Sequence, residues 1–261
     1  MKSVSILLAG GLMAAAVPAF AASPFDGSWK TDPTTVKMTG KPVTLVVDHG
    51  MFDCKTCVPE VKVKADGLPH PVTGHATFDA TSAATPDART IKLTEFKDGK
   101  TVGVNMWVVA PDGAHAKQSY SGTAPNGQTM TENYVFRRVQ SGEKGASLVS
   151  GSWMPDSVSE SDNALVQTMK VNGDALDLST PLGESYHAVF GGAPVSIKGS
   201  PSKTLAQVKR VSDHEIVETD WRDGKKIDVT DMTVSDDGKT MTFVDDNLRA
   251  GHHSRGKAYK M

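Results

Sequence analysis

The chain has 261 residues and a formal net charge of −2, with 28 lysines and arginines against 30 aspartates and glutamates. The sequence has no block of basic residues of the kind that binds nucleic acid. It also has no polybasic patch that would bind a charged membrane surface. Glycine, threonine, valine, serine and aspartate are plentiful, a composition that favours strands and turns over helices.

The first 22 residues have the pattern of a secretory signal peptide. Lys2 precedes an apolar run from residue 6 to residue 17, and Ala19-Phe20-Ala21 supplies the small residues of a cleavage site. The apolar run is too short to span a bilayer. We therefore expect a protein exported to the periplasm or the medium, without a transmembrane segment.

The rest of the chain contains an internal repeat. Two turn pairs and one Gly-Ser-Trp triplet recur about 125 residues later: Asp98-Gly99 as Asp223-Gly224, Asp112-Gly113 as Asp237-Gly238, and Gly27-Ser28-Trp29 as Gly151-Ser152-Trp153. Repetition at a fixed spacing indicates two similar structural units. The predicted division is a first β-barrel-like repeat at 23–140, a linker at 141–147 and a second β-barrel-like repeat at 148–261.

The spacing of the turn pairs predicts the kind of β structure. Asp-Gly and Asn-Gly pairs accept the positive φ that tight hairpins need. Successive pairs at 98, 112 and 126 are 14 residues apart, which leaves about 9–11 residues for each strand, more than the usual ~5–6. Long strands joined by hairpins favour an all-β fold of two antiparallel up-and-down meanders that close as barrels. The alternative is one larger barrel or sandwich shared by both repeats.

Each repeat opens with Gly-x-Trp and ends with a strand that carries cations, in Tyr134-Val135-Phe136-Arg137-Arg138 and in Arg255-Gly256-Lys257-Ala258-Tyr259-Lys260. In these features the chain resembles the lipocalin and calycin β-barrels, and it is also similar to uncharacterised exported bacterial proteins with a duplicated Gly-x-Trp unit. The resemblance implies that the Trp lies across the closed end of a barrel, under a cation from the last strand. Carried over within each repeat, it pairs Trp29 with Arg137 or Arg138, and Trp153 with Arg255 or Lys257.

Cys54 and Cys57 are the two cysteines of the chain. In an oxidising compartment such a pair is expected to form a disulfide. Two alternatives are a redox-active Cys-x-x-Cys pair and a metal site that adds His49 as a third ligand. Covalent haem attachment is excluded because Val58, rather than histidine, follows Cys57. No cofactor is expected.

Glu218 and Asp220 are the acidic pair of interest in the second repeat. Side chains two residues apart share one face of a strand, so the two carboxyl groups lie together. If that face is internal, they are paired acids inside a cavity; if it is external, they are surface charges. The neighbouring residues on both faces are partly apolar, and the alternation does not decide between these positions.

An exported protein with two β-barrels is suited to binding a small apolar or amphipathic molecule. The candidate ligand-lining residues are Met106, Trp107, Tyr134, Phe136, Tyr186 and Phe190. A thiol or metal protein centred on Cys54 and Cys57 is one alternative, and a structural protein of the cell envelope is another. No catalytic residue is predicted, and the sequence leaves the oligomeric state open.

Overall fold

The structure, a computed structural model, describes residues 22–261, so the predicted signal peptide lies almost wholly outside the described residues. These residues form twenty strands and no helix. The described part of the chain therefore contains no helix long and apolar enough to cross a membrane. The strands are β1 Gly27–Gly40, β2 Val43–Asp48, β3 Met51–Cys54, β4 Val61–Lys64, β5 His70–Pro71, β6 Ala80–Asp87, β7 Thr90–Lys97, β8 Lys100–Val109, β9 His115–Thr123, β10 Thr129–Ser141, β11 Gly151–Glu160, β12 Val166–Asn172, β13 Ala175–Ser179, β14 Ser185–Val189, β15 Val195–Ser196, β16 Leu205–Ser212, β17 Glu215–Arg222, β18 Lys225–Val234, β19 Thr240–Asn247 and β20 His252–Lys260.

The strands form two separate ten-stranded antiparallel sheets. One sheet has the order β4-β3-β2-β11-β10-β9-β8-β7-β6-β5, and we call it the N-barrel. The other has the order β14-β13-β12-β1-β20-β19-β18-β17-β16-β15, and we call it the C-barrel. The prediction of two antiparallel all-β units is therefore confirmed, and the alternative of one larger barrel or sandwich shared by both repeats is wrong.

Contacts between the two ends of each sheet nearly close it into a barrel. In the N-barrel the Gly67 amide donates to the Ala83 carbonyl at 2.8 Å, joining the end of β4 to β6. In the C-barrel, Ser185 of β14 and Lys198 exchange backbone hydrogen bonds of 2.8 and 3.1 Å. Closure satisfies backbone groups that an open sheet would leave at its edges.

The two repeats exchange their opening strands. β1 pairs with β12 and β20 in the C-barrel, whereas β11 pairs with β10 and β2 in the N-barrel. The barrels are thus built from 43–160 and from 27–40 together with 166–260, which corrects the predicted division at 140 and 148. The predicted linker is a loop of the N-barrel, where the Ser147 amide donates to the Val47 carbonyl at 3.0 Å.

The Asp-Gly and Asn-Gly pairs form the turns that the sequence predicts. Hairpins at 98–99, 112–113, 126–127, 223–224 and 237–238 connect strands that are neighbours in the sheets. Asp98 and Asp223 have φ values of 50° and 51°, and the glycine after each also has positive φ. Two successive residues with positive φ are the geometry of a type I′ hairpin turn, which matches the twist of the flanking strands.

Each barrel core contains one fully buried tryptophan. Trp153 packs in the N-barrel and Trp29 in the C-barrel. Their indole N–H groups donate to carbonyls four residues earlier, from Trp153 to Val149 and from Trp29 to Phe25, both at 2.9 Å. The two indoles are therefore held by the same local contact in both repeats.

The cations over these rings differ from those that the resemblance implied. Arg138 lies over Trp153 and Lys260 lies over Trp29, because each cation is the direct cross-strand neighbour of its ring. The implied partners came from within one repeat, and the strand exchange reverses them. Arg137, Arg255 and Lys257 are exposed and contact neither ring, because they point outward from their strands.

Candidate functional site

The C-barrel contains a partly open cavity of about 390 Å³. Strand alternation explains its lining, since every second side chain of a barrel strand points inward. One part of the wall is apolar and the other carries carboxyl and hydroxyl groups. The apolar part includes Leu165, Leu178, Ile197, Met232 and Phe243, and the polar part includes Glu184, Tyr186, Glu218, Asp220, Thr230 and Asp245.

Glu218 and Asp220 both line this cavity, so their strand β17 directs that face inward. The Tyr186 hydroxyl donates to Glu218 Oε2 at 2.8 Å. Asp220 Oδ1 is buried and has no hydrogen-bond partner among the described residues. The second carboxylate is therefore a buried acceptor that a ligand inside the cavity could satisfy.

Burial changes the protonation of these acids. Burial, and then the nearby charge of Asp220, raise the pKa of Glu218 to about 7, although the hydrogen bond from Tyr186 opposes this shift. Burial and the charges of Glu184 and Asp245 raise the pKa of Asp220 to about 6. Low polarity and like charges both disfavour a carboxylate. At neutral pH the cluster therefore holds protons that an arriving cation could displace.

Three further acids extend the cluster. Thr230 donates to Asp245 Oδ1 at 3.0 Å. Burial and the neighbouring Asp245 raise the pKa of Asp228, which lies opposite Asp220 across the β17–β18 pair. Burial also raises the pKa of Glu184 on the cavity wall. None of these three acids was predicted from the sequence. Asp228 on β18 and Asp245 on β19 continue the inward face on which Asp220 lies in β17.

The N-barrel shows why a cavity opens in the C-barrel at this place. In the C-barrel, Thr230 of β18 pairs with Asp245 of β19. The equivalent pair in the N-barrel is Asn105 of β8 with Tyr120 of β9. The Tyr120 hydroxyl lies over two glycines of that interior, since an added Cβ at Gly103 or Gly122 would lie 2.7 or 2.6 Å from its oxygen. The tyrosine ring thus occupies the volume that the shorter Asp245 side chain leaves open.

The N-barrel interior is acidic as well. Burial raises the pKa values of Glu95, Glu132 and Glu160, and for Glu160 the value reaches about 7 with a contribution from Glu132. Burial and the charge of Glu95 raise the pKa of Tyr120 to about 12. Glu95 is the counterpart of Asp220 in the first repeat, so both barrels have an internal carboxyl group at this position. The C-barrel differs in having a cavity beside that carboxyl group.

The predicted ligand-lining residues are distributed over several places. Tyr186 lines the cavity. Trp107, Phe136 and Tyr134 pack in the N-barrel core, with 4.4 Å between the ring centroids of Trp107 and Phe136. Phe190 packs at the edge of the C-barrel core, under the guanidinium of Arg210.

Met106 does not face an interior. Its side chain is 40% exposed, whereas the adjacent Trp107 is buried, because neighbouring residues of a strand point to opposite faces. The two residues therefore cannot line the same cavity, and Met106 belongs to the outer face of the N-barrel.

Cys54, the last residue of β3, forms a disulfide with Cys57 in the loop that follows. Their sulfurs are therefore not available as thiolate ligands. The His49 side chain is largely exposed and its Nδ1 lies 2.6 Å from Asp48 Oδ2. Within residues 22–261, no group of three or more His, Cys, Asp or Glu side chains has an arrangement that could hold a metal ion.

Comparisons with known proteins add no assignment. No protein-family model, curated protein or solved structure matches the chain.

Proposed function

We propose that the protein binds a small amphipathic cation in the C-barrel cavity. The observation that carries this proposal is the composition of one cavity, in which apolar side chains face a group of carboxyl groups. Such a wall suits a molecule with a hydrocarbon part and a basic group, for example an alkylamine. The sequence predicts an apolar or amphipathic ligand, and the carboxyl cluster favours an amphipathic cation.

Electrostatics support a cationic group in the ligand. Glu184, Glu218, Asp220 and Asp245 lie on one cavity, and the charges of their acidic neighbours raise the pKa values of Glu218 and Asp220. No lysine or arginine lines this cavity among the described residues. A ligand ammonium would therefore supply the opposite charge that a buried carboxylate needs. An anionic ligand would add to the repulsion.

The remaining wall supports an apolar ligand tail. Leu178, Ile197, Met232 and Phe243 come from four different strands or loops and converge on the same volume. The cavity of about 390 Å³ lies near the lower end of the ~300–1,000 Å³ that small-molecule sites occupy. A chain of a few methylene groups gains about 0.8 kcal/mol for each CH₂ that it buries.

Calorimetric titration with three probes of equal chain length tests this proposal. Octylamine, octanol and octanoate share a hydrocarbon tail and differ in head group. We expect octylamine to bind most tightly, octanol more weakly and octanoate not measurably at neutral pH. Equal binding of all three would contradict a role for the carboxyl groups, and binding of none would contradict the proposal.

Two matched variants locate the binding. Glu218→Gln removes one carboxyl group from the cavity, and we expect it to weaken octylamine binding about tenfold or more, as for other charged hydrogen bonds. Glu95→Gln removes an internal carboxyl group from the N-barrel, and we expect octylamine binding to stay unchanged. Equal losses in both variants would show that the effect is not specific to the C-barrel cavity.

A further inference from the structure

A second, cationic pocket lies between the two barrels. It has a volume of about 200 Å³ and is lined from both sides. The N-barrel contributes Val58 and the loop that contains His75, and the C-barrel contributes Ser202, Arg222 and Arg249. Its volume is below that of sites for drug-sized molecules, which restricts it to a small ligand.

Polar contacts fix the two arginines at this pocket. Arg222 Nη2 donates to the hydroxyl oxygens of Ser202 at 2.6 Å and Thr204 at 3.0 Å. Arg249 Nη2 donates to the Val58 carbonyl at 2.7 Å, across the boundary between the barrels. Each guanidinium has five N–H donors, so these contacts leave other donors available to a ligand.

Two nitrogen atoms at the pocket are buried without a partner. They are Arg222 Nε and His75 Nε2, and neither has a hydrogen-bond partner among the described residues. His75 is held in place by stacking on Phe78, with 4.5 Å between the ring centroids. The buried Arg222 Nε–H without an acceptor is costly, and an oxygen ligand between the barrels would satisfy it. In the tautomer with its proton on Nε2, His75 donates to the same ligand.

The charges at the pocket also lack compensation. Within residues 22–261, neither Arg222 nor Arg249 forms a salt bridge, although Asp223 and Asp220 act on Arg222 from a distance. Lys97, which corresponds to Arg222 in the first repeat, does have an acidic partner, Asp79, at 3.7 Å. Burial and the charge of Arg249 lower the pKa values of both Arg222 and His75. The pocket therefore carries positive charges that repel one another.

We propose that this pocket binds a small tetrahedral oxyanion, such as inorganic phosphate, through Arg222, Arg249 and His75. Guanidinium groups match the oxygen geometry of phosphate and form charge-assisted hydrogen bonds to it. Because the donors come from both barrels, the bound anion fixes one barrel against the other. This pocket shares no lining residue with the C-barrel cavity that holds the proposed amphipathic cation site.

Calorimetric titration with inorganic phosphate tests the site, with chloride as a control at the same ionic strength. We expect saturable binding of one phosphate per chain and no saturable binding of chloride. Arg222→Gln and Arg249→Gln should each weaken phosphate binding about tenfold or more, as loss of a charged hydrogen bond does. Arg137→Gln, which changes an exposed arginine outside the pocket, should leave phosphate binding unchanged.

The unmodified protein provides a test that needs no variant. In a spectrum of arginine Nε–H groups, phosphate should shift the signal of Arg222 and leave the signal of Arg137 in place. Absence of saturable phosphate binding by the unmodified protein, or equal weakening by Arg137→Gln, would overturn the proposal.

Discussion

The Arg138 guanidinium carbon lies 4.0 Å from the centroid of the Trp153 ring, and the two residues are direct neighbours across β10 and β11. Lys260 Nζ lies 4.8 Å from the ring of Trp29, again between direct cross-strand neighbours. In each pair the tryptophan comes from one repeat and the cation from the other. The same type of cation–π contact therefore covers the buried tryptophan of both barrels, and in each barrel it joins residues of different repeats because the opening strands are exchanged.

Arg138→Ala should destabilise the N-barrel by about 2–4 kcal/mol, which sums a cation–π contact and several charged hydrogen bonds. Besides covering Trp153, Arg138 donates to the carbonyls of Gly113 at 2.6 Å, Ser150 at 2.7 Å and Leu148 at 2.5 Å. Urea unfolding measures the change. Arg137→Ala is the control on the exposed side of the same strand, and an equal loss there would contradict the assigned role of Arg138.

Two fragments of similar length distinguish the exchanged fold from a fold of contiguous repeats. Residues 42–161 contain all strands of the N-barrel, β2 to β11, whereas residues 23–140 contain β1 and lack β11. We expect 42–161 to show a cooperative unfolding transition, and 23–140 to show none. Circular dichroism during thermal unfolding measures both. Folding of 23–140 as a stable monomer, with 42–161 unfolded, would contradict the exchange.

Stability should fall as the pH rises from about 4.5 to 7. In the unfolded chain Glu218 ionises near its ordinary pKa of 4.5, whereas the folded protein keeps it protonated up to about 7. The folded state binds more protons across this interval, so the free energy of unfolding decreases with rising pH. Asp220 and Glu160, with raised pKa values of about 6 and 7, act in the same direction.

Urea unfolding at pH 5 and pH 8 measures this dependence. The double variant Glu218→Gln/Asp220→Asn should show a smaller loss of stability than the unmodified protein, because two of the responsible carboxyl groups are absent. If the unmodified protein became more stable as the pH rises from 5 to 8, the result would contradict the burial of these carboxyl groups inside the barrels.

The variant Cys54→Ser/Cys57→Ser should lose about 1–2 kcal/mol of stability, because the disulfide closes only a short loop. We expect no reactive thiol in the unmodified protein before reduction. Octylamine binding should not change, since neither cysteine lines the C-barrel cavity. Two reactive thiols in the native protein would instead favour the alternative of a thiol-based function.

Local features of the fold are predictable from the sequence because their causes are local. Asp98-Gly99 and Asp223-Gly224 form hairpins because their backbones accept positive φ. The exchange of β1 and β11 has no such local signal, since both strands open with the same Gly-Ser-Trp. Only the contacts with other strands decide which barrel each one completes.

The candidate site was partly predictable for a similar reason. Residue alternation places Glu218 and Asp220 on one face, but the apolar Val217 and Trp221 make the opposite face an equal candidate for the interior. The cavity depends on Asp245, whose counterpart Tyr120 fills the N-barrel. The strand pairing of the structure shows that Asp245 and Tyr120 are equivalent positions, and only then does their difference in side-chain volume indicate a cavity.

The most direct test of the amphipathic cation site is octylamine titration of a protein in which two C-barrel residues are replaced by their N-barrel counterparts. The double variant Asp228→Gly/Asp245→Tyr introduces the residues that stand at these positions as Gly103 and Tyr120. We predict that the unmodified protein binds one octylamine per chain and that the double variant retains its β-sheet circular dichroism but loses this binding. Undiminished octylamine binding by the folded double variant would contradict a site in the C-barrel cavity.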